Sequence, residues 1–159
     1  MDVYEKLSSK SRVWIYQSDK RFSDELVEKL NAQLASFAEN WTSHNRQLFS
    51  FAKVFDNTFV VLMVDETMAG ASGCSIDKSV HFIQSLEREF EISLMNRKIL
   101  TYKSDGEIQF SDLNDFSTLY KEGKISDDTL VFDTLIKTKG DFENHWVKPL
   151  HSSWHKRFV

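Results

Sequence analysis

The sequence predicts an α+β fold: a ferredoxin-like split βαβ core over residues 12–103, with residues 104–159 as a C-terminal β/α elaboration packed on it. Three observations carry that reading. Two amphipathic helical patterns alternate with strands in the order β-α-β-β-α-β. One strand, Phe59 to Val64, is apolar on both faces, as a central, doubly covered strand requires. The 159 residues contain one proline and five glycines, which leaves little room for long flexible linkers. A chain of this length buries about two-thirds of its unfolded surface as one unit, and residues 1–159 are read as a single domain.

Each element follows from local pattern. Arg12-Val-Trp-Ile-Tyr-Gln17 is β-branched and aromatic, hence a first strand. Ser23 is an N-cap, with Asp24 and Glu25 placing negative charge at the positive end of the dipole. Leu26, Val27, Leu30, Leu34, Phe37, Ala38 and Trp41 then recur along one helical face. Leu48 to Phe55 carries Phe49, Phe51 and Phe55 at even steps, a strand with one aromatic face. Asp56-Asn57 tolerates positive φ and joins it tightly to the next strand, Thr58 to Val64. Ser72 or Ser75 caps a second helix, whose stripe is Ile76, Val80, Ile83, Leu86 and Phe90.

Lys98 to Lys103 is the fourth strand of the expected core, and Ser104-Asp-Gly-Glu107 turns it into a short return strand at Ile108 to Phe110. In the elaboration, Leu113, Phe116, Leu119 and Tyr120 make a short helix capped by Ser111 or Asp112 and stopped at Gly123. Thr129 to Phe132 is a strand, with Leu135-Ile136 as its continuation. Thr138 and Asp141 resemble a capping box ahead of a helix with Phe142 and Trp146. In the alternative arrangement, the C-terminal strands join the main sheet and enlarge it beyond four.

Composition excludes several classes of function. With 41% hydrophobic and 28% charged residues the chain is globular rather than disordered. A net charge of −4 argues against general binding to nucleic acid or acidic membranes. The longest apolar run, Phe59 to Val64, is far short of the roughly 20 residues that span a bilayer, so no membrane insertion is expected. Met-Asp-Val-Tyr-Glu-Lys lacks the basic and apolar regions of a signal peptide, and the single cysteine makes no internal disulfide. The expected location is cytoplasmic.

Three segments, Ser11-Arg-Val-Trp-Ile-Tyr-Gln-Ser18, Ser72-Gly-Cys-Ser-Ile-Asp-Lys-Ser-Val-His-Phe-Ile83 and Ser153-Trp-His-Lys-Arg-Phe158, carry a resemblance. Through them the chain resembles, over nearly its whole length, a family of short bacterial proteins with no established activity. Its members sometimes bear an ABC-transporter ATPase label. The residues do not support that label. A P-loop needs G-x-x-x-x-G-K-[ST], whereas Gly70-Ala-Ser-Gly-Cys-Ser75 lacks the lysine and the spacing, and Gly123-Lys-Ile-Ser126 lacks the upstream glycine.

The candidate site is the small-residue run before the second helix. Ser72, Gly73, Cys74 and Ser75 would present hydroxyls and backbone N–H groups to a phosphate or carboxylate, set against the plainer role of turning and capping. Cys74 at a helix start is also the candidate catalytic nucleophile, since the dipole favours thiolate. A catalytic thiol wants a base within reach. His81 lies seven residues on, roughly 10 Å along a helix, so His44 or a tail histidine would have to approach through the fold. The alternative is a small structural cysteine. Gly70-Ala-Ser-Gly-Cys74 falls short of the hydrolase elbow, because cysteine stands at its final glycine position.

His151 and His155 have i, i+4 spacing, but no glutamate follows His151 and Pro149 weakens a helix there, so surface or packing histidines are expected and no metal is assigned. Asp65-Glu66 and Asp127-Asp128 are read as solvated turn residues. Trp154 and Phe158 are expected to tuck into the core and leave Lys156 and Arg157 in water. The expected function is non-covalent binding of a protein partner or a small anionic molecule near Ser72–Ser75, with a Cys74-dependent hydrolase or redox enzyme as the alternative. No motif specifies a cofactor or an oligomeric state.

Overall fold

In the computed structural model, which describes residues 2–159, a four-residue helix α1 (Val3–Lys6) precedes the first strand. Asp2 caps α1 through Tyr4 N, a short signal that the hydrophobic pattern does not register. Strand β1 (Arg12–Gln17) leads to α2 (Asp24–Asn40), where Ser23 Oγ accepts from Leu26 N at 3.1 Å. A small hairpin follows, β2 (Thr42–Ser43) and β3 (Arg46–Gln47), turned by His44 and Asn45, both at positive φ. Strands β4 (Phe49–Phe55) and β5 (Phe59–Asp65) are joined through residues 56–58, with Asp56 and Asn57 at φ 54° and 52°, the left-handed pair of a type I′ turn, and Thr58 N donating to Phe55 O at 3.1 Å.

Helix α3 (Gly73–Phe90) starts from Ser72 and ends where Glu91 turns left-handed. Strands β6 (Ile99–Ser104) and β7 (Glu107–Asp112) form a hairpin over Asp105-Gly106, again with two positive φ values. Asp112 then caps α4 (Leu113–Lys121). Strand β8 (Leu130–Phe132), helix α5 (Lys139–His145) capped by Thr138, strand β9 (Val147–Pro149) and two 3-10 helical turns, Leu150–Ser152 and Trp154–Phe158, complete the chain.

The main sheet is antiparallel and three-stranded, in the order β1-β5-β4. All seven residues of β5 are buried, as expected for its central place. Its alternation divides the interior. Val60, Leu62 and Val64 face Leu30, Leu34, Ile83 and Leu86 of α2 and α3, with Trp41 sealing one end. Phe59, Val61 and Met63 face Phe132, Phe142 and Trp146 from the C-terminal third, so residues 104–159 cover the second side of the sheet. Phe59, Phe132 and Trp146 form a packed aromatic trio with ring centroids 4.9–5.2 Å apart.

The fold is mixed α+β, but the expected four-strand core is not formed. Strand β6 belongs to a second sheet, in the order β7-β6-β8-β9, which the C-terminal strands also join in place of the main sheet. Two causes are visible. The free side of β1 is taken by Val13 N donating to Lys137 O at 3.0 Å and by an Arg12–Thr138 bridge. The Asp105-Gly106 turn meanwhile pairs β6 with its immediate successor, at far smaller loop-closure cost than a return to β1. Where β6 does approach β1, the Gln17 side chain bridges them: its amide donates to Ile99 O, and its Oε1 accepts from Thr101 Oγ1.

The second sheet has its own small core of Leu100, Phe116, Ile125, Val131 and Leu150, against which Trp154 and Phe158 pack. The expected continuation of β8 through Leu135-Ile136 is absent. Asp133 Oδ1 accepts from Leu135 N at 2.9 Å and turns the chain out of the strand.

Candidate functional site

The start of α3 closes largely on itself. Ser72 Oγ accepts from Ser75 N at 3.1 Å, and Ser75 Oγ accepts from Ser72 N at 2.7 Å, a reciprocal capping box with serine at both positions. Two of the donors that the sequence offers to a ligand are thereby occupied. Gly73 and Cys74, the first two helical residues, remain exposed. A carboxylate from within the chain occupies the approach to the helix: Glu66 Oε2 accepts from Ala71 N at 2.9 Å, while Glu66 Oε1 lies 3.6 Å from Arg12 Nε. Neither of the two clefts described below is lined by residues 72–75.

Cys74 is exposed, on the second residue of an 18-residue helix. The histidines that make polar contacts make them elsewhere. His81 lies 3.8 Å from Asp77, His151 contacts Ser152, and His155 Nδ1 is 2.6 Å from Ser153 Oγ. His44 is exposed in the β2–β3 turn, and His145 ends α5. The 3-10 tail also separates the two histidines spaced for one helical face: His155 is buried, His151 exposed. Among the described residues no three His, Cys, Asp or Glu side chains gather as a metal site would need.

The buried ionic groups serve the fold. Asp65, expected in solvent, is instead 4% exposed, accepting from Ser8 N at 2.9 Å and from Thr67 N and Oγ1. Burial alone would raise its carboxyl pKa; these hydrogen bonds and the charge of Lys139 outweigh it and hold the carboxyl below its ordinary value. Lys139, also buried, donates to Tyr4 O at 2.7 Å and Leu7 O at 2.9 Å and lies over the Tyr4 ring, tying α5 to the N-terminal segment.

Asp133 is the hub of the tail. It accepts from Lys148 Nζ at 2.7 Å, Trp154 Nε1 at 2.8 Å and Leu135 N, and these bonds overcome its burial to lower its pKa. Burial drives His155 down to about 4, although the Asp133 charge pulls the other way.

A more open polar site lies between the tips of the two hairpins. Arg21, Asp56, Asn57, Lys103, Gly106, Glu107 and Ile108 line a cleft of about 600 Å3, within the usual range for small-ligand sites. One wall is firmly held: Phe22 N donates to Asn57 O at 2.7 Å, and Asn57 Nδ2 donates to Phe22 O at 3.1 Å and Asp24 Oδ1 at 2.8 Å. Lys103 Nζ stands 5.8 Å from the centroid of the Phe132 ring. Among the described residues, neither Arg21 nor Lys103 is in an ion pair. Sequence reasoning missed this cleft because its two cations lie 82 positions apart, and only the packing of one sheet against the other brings them to one opening.

Compared with family models, curated proteins and solved structures, the chain has no match in any of the three. No helix among the described residues is long and apolar enough to cross a membrane.

Proposed function

We propose that this protein works by non-covalent binding and that its ligand is a small anionic molecule received between Arg21 and Lys103. The observation that carries this reading is the pair of cations facing one cleft without a carboxylate in ion-pair contact among the described residues. A compact negative group between them gains two charge-assisted contacts. Asp56 and Glu107 on the same rim disfavour polyanions, so the ligand carries one anionic group on a neutral polar body. A cytoplasmic location, and membership of the family of short bacterial proteins that the sequence resembles, belong to the same proposal.

Calorimetric titration with gluconate, one carboxylate on a neutral polyol body, repeated with Arg21→Ala and Lys103→Ala, tests it. Each variant is expected to weaken binding by about tenfold or more, and the wild-type affinity to fall with added salt. Equal affinity in all three proteins overturns the assignment.

The start of α3 is a second location for the same ligand class, favoured by the exposed first-turn residues Gly73 and Cys74. The exposure of the thiol also favours a different reading, in which Cys74 is the nucleophile of a hydrolase or redox enzyme. That reading requires alkylation of Cys74 much faster than that of an ordinary exposed thiol.

A further inference from the structure

Among the described residues, two of the four outer edges of the two main sheets are closed by identifiable contacts and a third is blunted by its length and a proline. The β1 edge carries residues 137–138. The β4 edge is covered by α2, with Asn31 Oδ1 accepting from Val54 N at 2.8 Å. Strand β9 is three residues long and ends in proline. The β7 edge has none of these protections. It is six residues long and contains no lysine, no proline and no bulge against β6.

Its open donors can be identified. Leu113 N donates to Lys98 O at 2.9 Å, just beyond the strand, and in an antiparallel ladder the bonded pairs alternate. With Ile99 opposite Asp112 and Ser104 opposite Glu107, the pairs bonded to β6 are those of Glu107, Gln109 and Ser111. The backbone N–H groups of Ile108, Phe110 and Asp112 and the carbonyls of Ile108 and Phe110 therefore point away from the sheet, while the Asp112 carbonyl accepts from Ser111 Oγ at 2.9 Å.

We propose that β7 receives an extended, basic segment of a partner protein as an added strand. The chemistry of the partner follows from the groove of about 400 Å3 beside this edge, between β7 and α4, which holds Asp112, Asp115 and Glu122. Its one cation, Lys124, is 3.2 Å from Glu122 and partly neutralised by it. Phe110 belongs to none of the three apolar cores and is left to pack against the incoming strand. Charge also disfavours a second copy of this chain as the occupant: antiparallel pairing of two β7 strands gathers the Glu107 and Asp112 carboxylates of both copies in one interface.

The test uses the full chain and a nonapeptide of alternating Lys, Thr and Val, with a control in which every Lys is Glu, read by amide hydrogen exchange and chemical shifts. The basic peptide is expected to protect the Ile108, Phe110 and Asp112 amides. Phe110→Pro, which removes an outward donor and no ladder bond, is expected to abolish that protection. Asp115→Lys, on the exposed surface of α4, keeps the strand intact and is expected to weaken binding about tenfold. Unchanged exchange at these three amides with peptide in excess overturns the proposal, as does equal binding of the acidic control. A β7-mediated dimer of the chain, seen as doubled mass lost in Phe110→Pro, overturns it in favour of self-association.

Discussion

Trp154 Nε1 donates to Asp133 Oδ1 at 2.8 Å, and this bond fixes the C-terminal turn against the end of β8. The same carboxylate holds Lys148 of β9, so one buried anion joins three segments of the second sheet and its tail. Asp133→Asn keeps the shape and removes the charge, leaving Lys148 partly buried without its counter-ion. Urea unfolding is expected to show a loss of about 2–3 kcal/mol.

His155, buried within that tail, gives stability a pH dependence of defined sign. Its folded pKa is about 4 against 6.5 for the free side chain. Below pH 6.5 the unfolded chain takes up a proton that the folded chain refuses, so stability falls as pH drops from 6.5 toward 4, by on the order of 3 kcal/mol in all. Asp65 and Asp133 have lowered pKa values; their contribution is present above the unfolded carboxylate range and is lost at lower pH, as they protonate in the fold. His155→Gln is expected to flatten the stability profile between pH 6.5 and 4 while leaving the acid limb below it. An unchanged slope in that window contradicts the burial of a neutral imidazole.

Glu91 ends α3 at φ 53° and ψ 49°, where its β-carbon is strained and glycine is not. Glu91→Gly is expected to raise the midpoint of thermal unfolding, with a gain of about 0.5–1 kcal/mol.

Cys74 is exposed and outside both clefts. Thiol reagents are expected to label it fully without denaturant, and Cys74→Ser to leave gluconate affinity within about twofold of the parent, as for a surface change remote from the ligand. A variant that has lost a measurable hydrolytic or redox activity places the chemistry at the thiol instead.

The local grammar of the chain was legible. Ser23, Ser72, Asp112 and Thr138 act as caps, Asp56-Asn57 and Asp105-Gly106 turn their hairpins, and the wholly apolar β5 is the central strand, because each signal is complete within a few residues. The partner of β6 was not legible: whether it returned to β1 depended on residues 137–138, distant in sequence, having taken that edge. Gln17, a polar residue directly after the apolar-aromatic run Val13–Tyr16, is the one local sign that the β1–β6 junction is bridged by a side chain. The site was less legible still. The capping serines were recognisable, but their mutual bonding, which occupies their own donors, is a matter of geometry. Arg21 and Lys103 belong to no motif at all.

The most direct test is a titration of the isotopically labelled protein with gluconate, following every backbone amide. The account requires saturable shifts at Asn57, Lys103 and Gly106 on the hairpin tips, with Gly73, Cys74 and Ser75 unmoved. Shifts confined to residues 73–75, or no saturable shift at the hairpin tips, contradict it.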